Sequence, residues 1–127
     1  MGNSERCEYN LRLLEAFGRA WGNRDVEAVL GLMTEDCVYE ASVGGEPGTT
    51  YRGREELRAG IANMFAHDAG SVAEVSNVFV TDACGAWEWT YRWADSSDTP
   101  EERGCDLFEF REGLISRKNA FRKVRSR

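Results

Sequence analysis

Cys105-Asp106-Leu107-Phe108-Glu109-Phe110 alternates so that one carboxylate, Asp106, shares a strand face with two phenylalanine rings. A carboxylate on such a face is solvated at a sheet edge, paired with a cation, or kept for acid/base chemistry. The next segment offers cations. With Glu112, Gly113 and Leu114 as a three-residue loop, Phe108 pairs with Lys118 and Asp106 with Ala120. Lys118 and Arg122 then occupy the two diagonals of Asp106. A two-residue loop turns Lys118 to the opposite face, so the register decides what Asp106 meets. In one reading Asp106 is a general acid or base assisted by Lys118, tuned by apolar burial against cation pairing. In the other the two form an internal ion pair that only fills the interior. A cavity beside Asp106 with Lys118 beyond about 4 Å favours chemistry, and a locked pair without a void favours structure.

Trp87, Trp89, Tyr91 and Trp93 recur at every second position, with Glu88, Thr90 and Arg92 on the opposite face. Such a stripe is an aromatic wall for a hydrophobic ligand, a helix-on-sheet core, or a homodimer surface on the outer face of a sheet. Tyr39 shares a face with Cys37 and Ala41, so its hydroxyl is either ligand-facing or a satisfied core group, while Glu40 points away. His67 falls at a helix end, where a cation suits the dipole. Arg54-Glu55-Glu56 reads as a solvated first turn.

These residues need elements to hold them. Leu13, Leu14, Phe17, Ala20 and Trp21 fall at i, i+1, i+4, i+7 and i+8, which predicts a helix of about four to five turns. Gly22-Asn23 stops it, and Asp25 caps a shorter helix with Val26, Val29, Leu30 and Met33. Residues 37–41 predict a strand closed by Gly44-Gly45-Glu46-Pro47-Gly48, and residues 53–66 return to helical spacing. Beyond residue 70 the period is two, with strands expected over 72–80, 86–94, 104–111 and 114–124. Glu112-Gly113 marks a hairpin turn and residues 95–100 a polar loop. Helices first and an antiparallel meander of four or five strands after them predict an α+β fold with helices on one face. The basic tail over 122–127 reads as a solvated end.

The 127 residues are expected to form a single domain, 1–127, burying roughly two-thirds of the extended chain's surface. A hydrophobic content of 42% supports one core. The net charge of -6 disfavours nucleic acid and anionic membrane as partners. No apolar run approaches a membrane span, the start MGNSERCEYN does not read as a signal peptide, and a cytoplasmic location is expected. Cys7, Cys37, Cys84 and Cys105 are scattered and the chain has 1 histidine, so no zinc site is expected and the cysteines read as small buried hydrophobes. Thiol chemistry at Cys105 lacks a nearby base.

Six stretches follow one another at suggestive spacing: Leu13-Leu14-Glu15-Ala16-Phe17 through Trp21, Asn23 to Val29, Thr34 to Tyr39, Tyr51 to Leu57, Trp89 to Trp93, and Gly104-Cys105-Asp106-Leu107-Phe108. Together they resemble the nuclear transport factor 2-like superfamily in its SnoaL-like branch. The resemblance implies a cone, a curved antiparallel sheet wrapped around two to three N-terminal helices, enclosing a pocket, in a homodimer. It implies no single function, because this fold hosts isomerases, cyclases, dehydratases, epoxide hydrolases and binding modules. The ketosteroid isomerases have an Asp base on the first strand, a Tyr on the first helix and a protonated Asp on a late strand. Ala41 and Phe17 hold the first two positions here, and only Asp106 matches. The epoxide hydrolases' Asp on the last strand is Ala120 here, and the dehydratases' histidine pair has only His67. The SnoaL-type cyclases place an Asp base deep in the pocket, and the resemblance does not assign that position to a residue of this chain.

The expected function is binding of a small, largely hydrophobic molecule by Phe17, Tyr39, Ala41, Trp89, Tyr91 and Phe108, without cofactor or metal. Any catalysis is expected to be isomerase- or cyclase-type proton transfer at Asp106, with Lys118 and Tyr39 or Tyr91 assisting. The alternative is a non-catalytic binding or dimerisation module whose polar interior fixes the fold.

Overall fold

The computed structural model describes residues 2–43, 48–93 and 101–124, so the loop expected over 95–100 lies outside it. Helix α1 spans Asn3–Gly22, starting well before its apolar stripe, and buries Leu13, Leu14, Phe17, Ala20 and Trp21. Helix α2, Val26–Gly31, starts where the Asp25 carboxylate accepts the Ala28 N–H at 3.1 Å, the cap expected from sequence. Strand β1 is Met33–Glu40, β2 is Thr50–Arg52, and α3 is Gly53–His67. Four strands complete the chain: β3 Ser71–Val80, β4 Cys84–Trp93, β5 Glu102–Arg111 and β6 Leu114–Arg122.

The six strands form one sheet in the order β2-β1-β6-β5-β4-β3. It departs from a simple meander in two ways. The pair β1–β6 is parallel, with Tyr39 opposite Lys118. Strand β2 is a short addition whose three residues are too few to show alternation. It is fixed by packing: the Tyr51 ring stacks on Tyr39 with centroids 5.9 Å apart and lies flat against Gly60 of α3.

The helices cover one face of the sheet. Phe17 of α1 meets Phe108 of β5 edge-on at 5.7 Å and Trp87 of β4 at 6.2 Å. Trp21 meets Phe65 of α3 at 5.0 Å. Rings from two helices and two strands thus interlock at distances typical of favourable aromatic pairs.

The β5–β6 register is the feature that positions the site, and it arises differently from expectation. The loop is the two-residue turn Glu112-Gly113, both residues having positive φ, as a type I′ turn requires. Arg111 pairs with Leu114 and Phe110 with Ile115, which alone would turn Lys118 outward. A one-residue bulge follows. Ser116 has no partner in the register, its hydroxyl donates to the Glu109 carbonyl at 3.2 Å, and pairing resumes with Glu109 opposite Arg117. Phe108 therefore faces Lys118 and Asp106 faces Ala120, the expected pairs by a different route.

The cysteine expectation needs correcting. All four are free, but Cys37 alone is buried, Cys84 is exposed, and Cys7 and Cys105 are intermediate. Cys84 opens β4 and Cys105 alternates onto the sheet's uncovered face, positions that alternation alone does not bury.

Candidate functional site

Asp106 is 3% exposed, inside the sheet's covered face. Its cross-strand partner Trp87 donates its indole N–H to Oδ2 at 2.7 Å, and Trp89 donates to Oδ1 at 3.1 Å. Lys118 Nζ lies 3.6 Å from the same Oδ1. Two indoles and an ammonium thus converge on one carboxylate, which offers about four lone-pair sites in all. Gly104 makes this arrangement possible. It lies opposite Trp89, and a Cβ there would strike the Trp89 ring and the Phe121 carbonyl.

Lys118 is held as tightly. Its Nζ lies 4.3 Å from the Trp21 ring centroid and 4.4 Å from that of Tyr39, both within cation–π range. Burial lowers the lysine's pKa, opposed by the Asp106 charge. Burial also raises the Tyr39 pKa well above the usual phenol range, with Asp106 adding to it. Tyr39 therefore keeps its proton.

A void adjoins the pair. A cavity of about 60 Å³ is lined by Trp21, Tyr39, Trp87, Trp89, Tyr91, Asp106 and Lys118, among others. The expected alternatives of distant Lys118 with a cavity, or locked pair without one, are both half met. The pair is formed and a cavity stands beside it. Tyr39, Trp89 and Tyr91 line this cavity. Phe17, Ala41 and Phe108 are buried in the core instead and do not line it. Trp87 and Trp89 of the aromatic stripe face inward, away from any outer-face interface.

Sequence reading missed a second carboxylate. Asp68 caps the C-terminus of α3 and is 2% exposed. Burial raises its pKa, opposed by the charges of His67, Arg122 and Arg24. Among the described residues, none places a well-aligned hydrogen bond on either Asp68 oxygen. The Tyr91 hydroxyl is turned toward it while accepting the Trp21 indole N–H at 2.9 Å. Burial, and then the Asp68 charge, raise the Tyr91 pKa. Arg24, at φ 53, caps the helix end by donating to the Asp68 carbonyl at 2.6 Å and the Ser71 carbonyl at 3.2 Å. A cavity of about 200 Å³ opens beside Asp68, bounded by Trp21, Arg24, Phe65, Ser71 and Tyr91. Trp21 and Tyr91 also line the first cavity, so the two adjoin.

His67, Asp68 and Glu102 bring possible ligand atoms within 4.8 Å of one another. Glu102 is already engaged by Arg122 Nη1 at 2.6 Å, so a metal there would have to displace a guanidinium. These residues do not make a ready cation site. The Cys105 thiol has its pKa raised by burial, which disfavours a thiolate nucleophile.

The model of the SnoaL-like domain matches residues 14–118, most of the chain. The chain belongs to the SnoaL-like domain family. Solved structures agree on the fold. An NTF2-like protein of unknown function from Mesorhizobium loti aligns with TM-score 0.79 and 23% identity over 94% of each chain. A candidate ketosteroid isomerase from Kribbella flavida aligns with TM-score 0.77 and 18% identity, over 95% of this chain and 82% of that one. A candidate polyketide cyclase from Xanthomonas campestris pv. campestris gives TM-score 0.70 and 17% identity over 91% of each. No curated protein matches the chain. At these identities the SnoaL-like fold is shared, and function has to be argued from the side chains.

Proposed function

We propose that this SnoaL-like protein binds a small, largely apolar molecule in its cone, with Asp106 and Lys118 forming the polar end of the site. One observation carries the reading: a void bounded by aromatic rings lies directly beside a buried, hydrogen-bonded charged pair. Apolar walls with a few convergent polar groups are the usual composition of a small-molecule site. The pair supplies both an anion and a cation, so it can orient a ligand's donor and acceptor groups.

A second reading, cofactor-free proton transfer of the isomerase or cyclase type, rests on the place of Asp106 in the cavity wall. The hydrogen bonds weigh against it as the leading one. Asp106 is fixed by two indoles and Lys118, and Ala41 and Ala120 offer no second carboxylate beside it. We also propose that two copies pair through the uncovered face of the sheet, where Phe79, Leu107 and Phe121 are exposed.

The test is a thermal-shift screen of apolar compounds on the wild type and Asp106→Ala, since a ligand of the native state raises its stability. Hits that stabilise the wild type and lose their effect in the variant support the reading. Hits indifferent to the substitution remove Asp106 from the site.

A further inference from the structure

The cavity beside Asp68 has an unusual imbalance. Its walls provide three rings, Trp21, Phe65 and Tyr91, and one buried carboxylate. Charge there is nearly balanced, because Arg24 and Arg122 stand against Asp68 and Glu102, with His67 alongside and Lys118 farther in. Hydrogen bonding is not balanced. Arg24 Nη2 donates to the carbonyls of Asp68 and Ser71, and the Ser71 hydroxyl donates to the Asp68 carbonyl at 2.5 Å, so neither reaches the Asp68 carboxylate oxygens. Arg122 Nη1 is held by Glu102.

Neither Asp68 oxygen accepts a well-aligned hydrogen bond among the described residues, and Tyr91 can supply at most one. At least three of about four acceptor sites on this buried carboxylate, in a residue that lines the cavity, are therefore without a partner. Leaving a buried acceptor unmade is costly. The C-terminal end of α3 also disfavours an anion.

We propose that Asp68 forms a second subsite, which accepts a hydrogen bond from a neutral hydroxyl carried by a planar, apolar ligand. What the Asp68 carboxylate lacks is an aligned donor and not nearby positive charge, because two guanidiniums already offset the carboxylates. A hydroxyl fills that lack without adding a third cation, and the three rings take the ligand's plane. This rests on the proposed binding function and names the ligand's chemistry: a hydroxylated ring system reaching from Asp68 past Tyr91 toward the Asp106–Lys118 pair.

Matched probes test it. Binding of 2-naphthol and of its methyl ether, 2-methoxynaphthalene, would be measured by calorimetry and by amide NMR shifts on the wild type and Asp68→Ala. The expected result is at least about tenfold tighter binding of the naphthol to the wild type, with that preference lost in the variant. Shifts should centre on Trp21, Phe65 and Tyr91. Equal binding of both probes overturns the subsite and leaves the apolar-ligand reading standing. Binding of neither overturns both. Zinc, manganese or benzylammonium stabilising the wild type but not Asp68→Ala, with no naphthol preference, makes the site a cation site and overturns the proposal. A folded Asp68→Ala is expected, because the carboxylate makes no well-aligned bond that the fold depends on.

Discussion

Lys118 Nζ stands 3.6 Å from Asp106 Oδ1, yet the lysine is enclosed more by rings than by its counter-ion. The asymmetry matters for stability. Asp106 has two indole donors besides Lys118, whereas Lys118 has one carboxylate and two ring faces. Asp106→Ala leaves an ammonium and two indole N–H groups buried without their acceptor, and should cost about 3–5 kcal/mol. Lys118→Met keeps the packing and both indole bonds and should cost clearly less. Urea unfolding of the two variants gives the comparison, and equal losses would show that the pair acts only as a pair.

Tyr91→Phe removes the acceptor for the Trp21 indole N–H and leaves that donor buried. A loss of about 1–3 kcal/mol is expected. The variant should also change tryptophan fluorescence, since Trp21 loses its hydroxyl partner while its ring contacts remain.

Gly104→Ala drives a methyl group against the Trp89 ring and the Phe121 carbonyl. Displacing Trp89 removes one of the donors on Asp106, so overpacking and a lost hydrogen bond combine. The expected cost is about 1–3 kcal/mol or more, measured by denaturant midpoint. Full stability in this variant would mean that the Trp89–Asp106 bond is dispensable.

Stability should carry the signature of Asp68. Its folded pKa lies above the unfolded value of about 3.9, so the native state holds the proton more tightly. The resulting stabilisation is fully present below the unfolded pKa and is lost as pH rises through the folded one. Asp68→Ala should therefore gain on the wild type as pH rises from about 4, then level off once the folded pKa is passed. Urea titrations at several pH values would show this, and a constant difference would place Asp68 in water.

Charges on the uncovered face should change assembly without touching the cone. Leu107→Lys with Phe121→Lys is expected to shift any dimer to monomer in analytical ultracentrifugation, with the monomer fold intact by circular dichroism. An unchanged dimer moves the interface elsewhere.

Much of this is legible in the sequence. The stripe from Leu13 to Trp21, the Asp25 cap and the alternation of β4 and β5 are local patterns, and the structure follows them. The partnership of Asp106 with Lys118 was legible only through a register rule, and the turn and bulge reach the expected pairs by compensating changes. Asp68 was not legible. In sequence it belongs to His67-Asp68-Ala69-Gly70, a commonplace polar helix end, and its burial comes from Arg24, Tyr91 and Arg122, which lie far away along the chain. The indole donors were missed for a related reason. Alternation gives the face of a tryptophan but not which way its N–H points.

The bulge at Ser116 makes the interior chemistry of this protein a matter of parity. Were Ser116 drawn into the ladder opposite Glu109, with the turn kept, Arg117 would face Phe108 and every later β6 side chain would swap between the two faces. Lys118 would leave the cone for the outer surface, and the guanidinium of Arg117, now paired with Glu40 and Glu109, would take its place inside. One residue held out of the ladder therefore separates a cone with an ammonium beneath its aromatic rings from one of opposite lining. Such a slip reverses two surfaces at once, and the cost at either surface is enough to keep Ser116 unpaired.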